Sequence, residues 1–292
     1  MTSSMLVIGN PGAGSYSRRR LEEAVERLSS TGTHVEVFLT RTKGDAETEA
    51  KRIARRNLAA IVVAGGDGTI NDVANGLAMS PVAVGILPMG SVNLLSREIG
   101  ISKDVGRASR QIMEGREHPI VLGRISSENG NTVRYFLLMA DIGYGGRTVA
   151  ELNNRLKCLS SRTAFVVSGT KNLLKKPSPL LTFTVDGTPY EGYHAIIGKC
   201  SRYGGNFRVT PHASIFKNEL HVCIFQSGRR LDLAKYVMGV ATGRHHTFQD
   251  VVSLKCRQIV VEGSTHIQVD GNYLGKTPVK IDTLENALNL IY

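Results

Sequence analysis

Over roughly the first 90 residues, short apolar runs alternate with stretches in which apolar side chains recur every three or four positions. Residues 5–8 are such a run, and beyond the loop at 10–14 the positions Leu21, Ala24, Val25 and Leu28 predict a helix over 18–29. The cycle repeats with a strand over 34–39, a helix over 45–57, a strand over 59–64, a helix over 70–78 and a strand over 82–87. Apolar strands separated by helices predict a parallel sheet covered on both faces. Near residue 120 the period changes to two. Segments 133–139, 181–185, 194–199, 220–225, 259–261 and 266–269 read as strands, and two helical patterns, 153–176 and 231–242, interrupt them. The expected fold is α/β plus β: a parallel α/β domain over 1–120, with residues 282–292 a candidate return to it, and an antiparallel β-sandwich over 121–292.

Charge narrows the partners. In 292 residues, 36 Lys plus Arg face 25 Asp plus Glu, a net charge of +11 that favours anionic partners such as nucleotides or acidic lipid. Cys158, Cys200, Cys223 and Cys256 lie far apart with no C-x-x-C pair, which argues against a zinc site and a disulfide framework. The N-terminus lacks the basic and apolar regions of a signal peptide, and no run approaches the roughly 18 apolar residues of a membrane span, so a cytoplasmic protein is expected. The histidines, among them His212, His221 and the adjacent His245 and His246, show no ligand spacing, and no reader motif for nucleic acid accompanies the basic residues.

The sharpest local signal is Gly65-Gly66-Asp67-Gly68-Thr69, where an apolar strand ends and a helix begins. Glycines there let a ligand approach the backbone, and amides at a helix start attract phosphate. The alternative is a tight strand-to-helix turn capped by Asp67 or Thr69. Two further loops, Asn10-Pro11-Gly12-Ala13-Gly14 and Pro88-Met89-Gly90-Ser91-Val92-Asn93, occupy corresponding strand ends, which in a parallel sheet all fall on the carboxyl edge where ligands bind. Neither a Walker A lysine motif nor G-x-G-x-x-G is present.

These loops, with Thr40 four residues ahead of Gly44-Asp45-Ala46, the run from Gly65 through Ile70, Asn71 and Asp72 to Leu77, and Arg97-Glu98-Ile99-Gly100, resemble the diacylglycerol kinase catalytic family. The resemblance continues through 136–143, Tyr203-Gly204-Gly205-Asn206-Phe207, Pro211 with Ala213, and Asp270-Gly271, so it covers nearly the whole chain in order. It implies a nucleotide-binding domain followed by a β-sandwich, and an ATP- and Mg²⁺-dependent kinase of a lipid hydroxyl, with a place in phospholipid biosynthesis. It implies phosphate contacts at Asn10, Pro11, Gly12, Ala13, Gly14, Thr40, Gly65, Gly66, Asp67, Gly68, Thr69, Ile70, Asn71, Ser91 and Asn93. Asp67 would orient ATP-Mg²⁺ or the acceptor, and the turn at 270–272 would bring the acid/base group. NAD kinases and phosphofructokinases share the Gly-Gly-Asp-Gly-Thr loop, but the other two loops favour the lipid branch.

The chain departs from the family at several acidic positions. Asn272 stands where the glutamate base is usual, leaving Asp270 as its candidate substitute. Lys217-Asn218 replaces an Asp-Gly pair that helps hold a structural metal, and an ammonium of Lys217 could take the cation's place among the carbonyls. Leu94, Gly145-Gly146 and Val121 are neutral where acids are frequent. A nucleotide- or lipid-binding pseudokinase of the same fold therefore stays open beside the kinase. Between 152 and 185 there is no Asp or Glu, while Arg155, Lys157, Arg162, Lys171, Lys175 and Lys176 punctuate apolar residues. Such a basic amphipathic segment suits a peripheral site on an anionic membrane, here the inner face, or else a solvated face of a packed helix. A homodimer also stays open.

Overall fold

A computed structural model describes residues 4–30, 32–56, 58–127, 130, 132–155, 179–205 and 207–292, with 152–155 as backbone only. The chain forms two compact units, residues 1–122 with 284–292 and residues 123–283.

In the first unit the strands β1 (Ser4–Gly9), β2 (His34–Leu39), β3 (Ala60–Gly65) and β4 (Ala83–Pro88) pair in parallel in the order β2-β1-β3-β4. Residues 289–291 of the last strand of the chain continue the sheet in parallel beside β4. Every residue of β3 and β4 is buried, as their unbroken apolar runs require. Edge strand β2 departs from the expectation of two covered faces: Val37 and Leu39 are 45% and 43% exposed, since it has a neighbour on one side only.

The helices α1 (Arg18–Ser29), α2 (Asp45–Ile53), α3 (Asp67–Leu77), α4 (Leu94–Glu98) and α5 (Val105–Glu114) fill the connections. Ser17 caps α1 by accepting the Arg20 N–H, and Asp104 caps α5 by accepting that of Arg107. Helix α2 stops four residues short of the predicted end because the Ile53 carbonyl turns to the Arg56 N–H at 2.8 Å. Gly76 lets α3 meet α2: a Cβ there would lie 2.6 Å from Ala50 Cβ. Helix α3 starts at Asp67 rather than Ile70, so three of the five residues of the predicted glycine loop belong to the first helical turn.

The second unit is antiparallel. One sheet runs β14 (Val251–Cys256), β13 (Leu220–Phe225), β10 (His194–Gly198), β7 (Met139–Ile142), β16 (His266–Val269) and β17 (Asn272–Lys276). Opposite it lie β9 (Thr188–Gly192), β8 (Leu181–Val185), β15 (Gln258–Glu262), the start of β18 (Val279–Ile291), the end of β5 (Glu117–Ser127) and β6 (Val133–Phe136). Inward residues of both, among them Phe136, Phe183, Ile197, Val222, Ile259, Ile267 and Ile281, form one core, which makes the unit a sandwich. Outside the first sheet, α7 (Arg230–Thr242) covers Cys223, Phe225 and Val251 through Tyr236. Helix α6 (Tyr144–Arg155) begins nine residues before the predicted 153, and residues 156–178 of the basic segment lie outside the described residues. The single strand expected over 133–139 is two, β6 and β7, broken at Leu137 and Leu138.

Phe136 is fully buried opposite Gly123 on β5, where a Cβ would fall 2.1 Å from the ring. Phe136→Ala removes this plug and leaves a cavity, so equilibrium urea unfolding is expected to show a loss of about 3–5 kcal/mol.

Candidate functional site

At the carboxyl edge of the parallel sheet, the three glycine loops of the first unit interlock. Asn10 Nδ2 donates to the Thr69 hydroxyl at 2.9 Å, while its Oδ1 accepts the Gly12 N–H at 2.9 Å. The Met89 N–H donates to the Gly65 carbonyl, the Ser15 N–H to that of Met89, and the Ser15 hydroxyl to that of Gly90. Gly66 and Gly90 meet backbone to backbone, since a Cβ on Gly90 would lie 2.5 Å from Gly66 Cα. Gly14 abuts Ser91, whose Oγ would lie 1.9 Å from a Cβ at 14. Asn93, at φ 54°, closes its own loop by exchanging two hydrogen bonds of 2.9 Å with Gly90.

Asp67 ties this assembly to α4. Its two carboxylate oxygens accept the N–H groups of Leu94 (2.9 Å) and Leu95 (3.1 Å), the first amides of that helix. Burial raises its pKa above the usual carboxylate range, against the pull of these amides and the charge of Arg97. Helix α3 itself has no side-chain cap: Gly66 sits at its N-cap, and Gly68 is exposed with open space where its Cβ would be. The result is a rigid row of amides at a helix start, bordered by glycines, the geometry that accepts a phosphate.

The other predicted contacts divide. Pro11, Gly12, Gly14, Gly68 and Ser91 are exposed around this row, and Ala13 is half-buried beside them. Thr69, Ile70, Asn71 and Asn93 are buried and build it from beneath. Thr40 ends the edge strand with its N–H on the Gly9 carbonyl, and Asp45 turns back to accept the N–H groups of Arg41 and Thr42.

In the second unit Asp270 and Gly271, at φ 46° and 83°, form the two-residue turn between β16 and β17, with Asn272 first on β17. The Asp270 carboxylate accepts three N–H groups, from Leu137 (2.8 Å), Leu138 (3.0 Å) and Met139 (2.8 Å). These are the amides at which the predicted strand breaks. The carboxylate of Asp270 is thus engaged in holding main chain, Oδ1 accepting two of these amides and Oδ2 one. Asp186 and Gly187 repeat the device at φ 46° and 88°, with Asp186 accepting the N–H groups of Arg257 and Gln258.

Two buried charges of this unit escaped the sequence reading. Asp141, 4% exposed, accepts the Tyr203 hydroxyl at 2.6 Å at the start of α6, and burial pushes its pKa up to about 6 against the bonds from Tyr203, Gly145 and Gln268. A Cβ on Gly145 would lie 1.8 Å from Asp141 Oδ2 and one on Gly146 2.4 Å from the His266 carbonyl, which explains the glycines at 145–146. The second is Lys199, whose ammonium donates to the carbonyls of Ser214, Lys217 and Glu219. The ammonium among those carbonyls is thus that of Lys199, not Lys217, whose own side chain points to Glu219 at 3.9 Å. With the carbonyls so engaged, these residues do not fit a structural metal. Leu94 and Val121 are buried apolar positions, which accounts for their neutrality. The sequence signal for both hidden charges is a single ionisable residue in or closing an apolar run. Among the described residues no group of three or more His, Cys, Asp and Glu side chains could hold a metal ion.

Comparison with known proteins agrees with this architecture. A profile of the diacylglycerol kinase catalytic domain matches residues 4–125, and one of the YegS C-terminal NAD kinase beta sandwich-like domain matches 140–292. Diacylglycerol kinases of Staphylococcus aureus strains RF122 / ET3-1 and MRSA252 are each 28% identical over 291 residues, covering 97% of this chain and 90% of theirs. A solved diacylglycerol kinase structure from Bacillus anthracis strain Sterne superposes with TM-score 0.72 at 21% identity, covering 99% of this chain and 96% of that one. A second structure from the same strain reaches 0.78 at 22% identity over the same shares. At these identities the structures establish the fold.

Asp141 generates a pH prediction. Because its folded pKa is raised, the native state holds a proton between about pH 4 and 6 that the unfolded chain has lost, so this residue's contribution to stability falls as pH rises through that window. Asp141→Asn lacks this titration. Its stability deficit relative to wild type is expected to shrink by up to about 3 kcal/mol between pH 4 and pH 7 in urea unfolding, and a pH-independent deficit would contradict the assignment.

Proposed function

The chain belongs to the diacylglycerol kinase catalytic-domain family, and we propose that it transfers the γ-phosphate of ATP to the hydroxyl of diacylglycerol or a related lipid alcohol. The observation that carries this reading is the uncapped start of α3, locked between Asn10, Gly90 and the Asp67 clasp on α4. A phosphate there accepts hydrogen bonds from main-chain amides and gains from the helix dipole, while the missing side chains at 66 and 68 let it approach. Preformed donors need no rearrangement as charge develops on the transferred group. Mg²⁺, arriving with the nucleotide, would neutralise the charge on its phosphates.

In the transfer, the lipid hydroxyl oxygen bonds to the γ-phosphorus as the bond to the β,γ-bridging oxygen breaks, ADP departs, and the hydroxyl proton passes to water or a phosphate oxygen. Asn272 orients the hydroxyl by accepting its hydrogen bond, and Asp270 holds the turn from which Asn272 projects. Because phosphoryl transfer rests mostly on positioning and electrostatics, an amide in place of a base lowers the rate without abolishing the reaction. The net charge of +11 and the basic segment between 152 and 185 support a peripheral position on anionic lipid. No helix among the described residues is long and apolar enough to cross a membrane.

One observation favours the pseudokinase: Asp270 is committed to three amides while Asn272 replaces the acid. Transfer of labelled γ-phosphate from ATP with Mg²⁺ to a lipid panel in anionic mixed micelles, with ATP binding measured alongside, separates the two. Lipid-dependent transfer is expected; binding with no transfer to any lipid would establish the pseudokinase. In the active protein, Asn272→Glu is expected to raise kcat by about 10²-fold, and an unchanged kcat would remove Asn272 from the acceptor site. Asp67→Ala frees α4 and is expected to weaken ATP binding at least about tenfold, with about 1–3 kcal/mol of stability lost as its two amides lose their acceptor.

A further inference from the structure

Lys199 follows β10 and is completely inaccessible to solvent, at 0% exposure. Its Nζ donates to three main-chain carbonyls of one short loop: Ser214 at 2.9 Å, Lys217 at 2.6 Å and Glu219 at 3.2 Å. An ammonium has three protons, so its donors are matched one to one. Among the described residues no carboxylate forms an ion pair with it; the Glu219 side chain faces His221 at 3.3 Å. A buried charge without such partners would be strongly unfavourable. Converging main-chain carbonyls are the donor set of a hard cation site, and here the cation is a side chain. Burial pushes the Lys199 pKa down to about 8, which leaves it charged at neutral pH.

The surroundings show what the ammonium organises. The loop is fastened by a hydrogen bond from the Thr283 hydroxyl to the Asn218 side chain. On the other side, the N–H groups of Lys199 and Cys200 both donate to the Leu138 carbonyl, at 2.8 and 3.1 Å, and Cys200 Sγ donates to that of Leu137. The amides of Leu137, Leu138 and Met139 are the ones held by Asp270. One continuous path therefore joins the 214–219 carbonyls, Lys199, the break between β6 and β7, and the Asp270-Gly271 turn.

We propose that Lys199 is the resident cation of the 214–219 loop: its ammonium does the structural work of a bound metal ion, so the C-terminal unit assembles without one. Lys199 is a positioning residue that acts on the Asp270-Gly271 turn through Leu138. Vacating the position opens a site selective for a primary alkylammonium ion. This inference concerns assembly and stands whether or not the protein transfers phosphate.

The test uses the full chain without nucleotide. Wild-type protein dialysed against EDTA is expected to retain no stoichiometric divalent metal, and its melting temperature to stay the same in EDTA, Mg²⁺ or Ca²⁺. Lys199→Ala is expected to melt at least about 5 °C lower, and to recover part of the loss in propylammonium but not in tetramethylammonium or propanol. Lys199→Met, similar in length and uncharged, is expected to melt lower as well and to show no recovery. Metal retained at stoichiometry, or a wild-type melting temperature that falls on chelation, would overturn the proposal. So would Lys199→Met as stable as wild type, or a folded Lys199→Ala insensitive to propylammonium. If neither variant folds while wild type is indifferent to chelation, the ammonium is required for assembly, as proposed.

Discussion

Backbone N–H groups that leave a helix or strand must still find an acceptor, and in this chain aspartate carboxylates meet that need at the breaks that shape both units. Asp67 receives the first amides of α4, Asp45 those ahead of α2, Asp186 those where β15 begins and Asp270 the three where β6 gives way to β7. Lys199 is the mirror image, an ammonium that gathers the carbonyls of an irregular loop. Each is a charge-assisted contact with main chain, stronger than a neutral hydrogen bond. Each fixes a segment with no ladder of its own.

The constraint bears directly on function. Asp67, the residue a motif reading would assign to nucleotide or acceptor, first of all fixes α4 against the start of α3, so the amide row at Gly66 and Gly68 is formed before any ligand arrives. Asp270 likewise holds the turn that carries Asn272. In the proposed transfer both would be positioning residues whose loss is felt as misplacement, which is costly in a reaction that depends on alignment. The glycines complete the arrangement, because Gly66 and Gly90 allow two loops to touch where any side chain would hold them apart.

Much of this was legible in the sequence. Periodicity located α1, β8, β13 and β16 to the residue, since each buries a simple face or an unbroken run, and β2 as well, although that edge strand buries none of its residues. The antiparallel character of the second unit followed from alternation. Other features were hidden for physical reasons. The break at Leu137 and Leu138 is set by a carboxylate more than 130 residues away, at a separation of 131 from Met139, and no local pattern carries that information. Helix α3 begins at Asp67 because a glycine caps it, so the polar first turn reads as loop. The short helix α4 relies on Asp67 rather than on its own N-cap side chain, which makes no capping hydrogen bond. A lysine among carbonyls was foreseen, but the resemblance points to the exposed Lys217, which stands where the family has an acid, whereas the ammonium is that of Lys199, which follows the apolar Ile196 and Ile197.

The central claim is that these carboxylates hold amides in the resting protein. Native-state hydrogen exchange, read residue by residue in the absence of nucleotide and lipid, tests it most directly. The account predicts slow exchange at Leu94, Leu95, Leu137, Leu138 and Met139, with protection of the first two lost in Asp67→Ala and of the last three lost in Asp270→Ala, each leaving the other set intact. Exchange at these five amides as fast as in an open loop, or protection unchanged by either substitution, would contradict it.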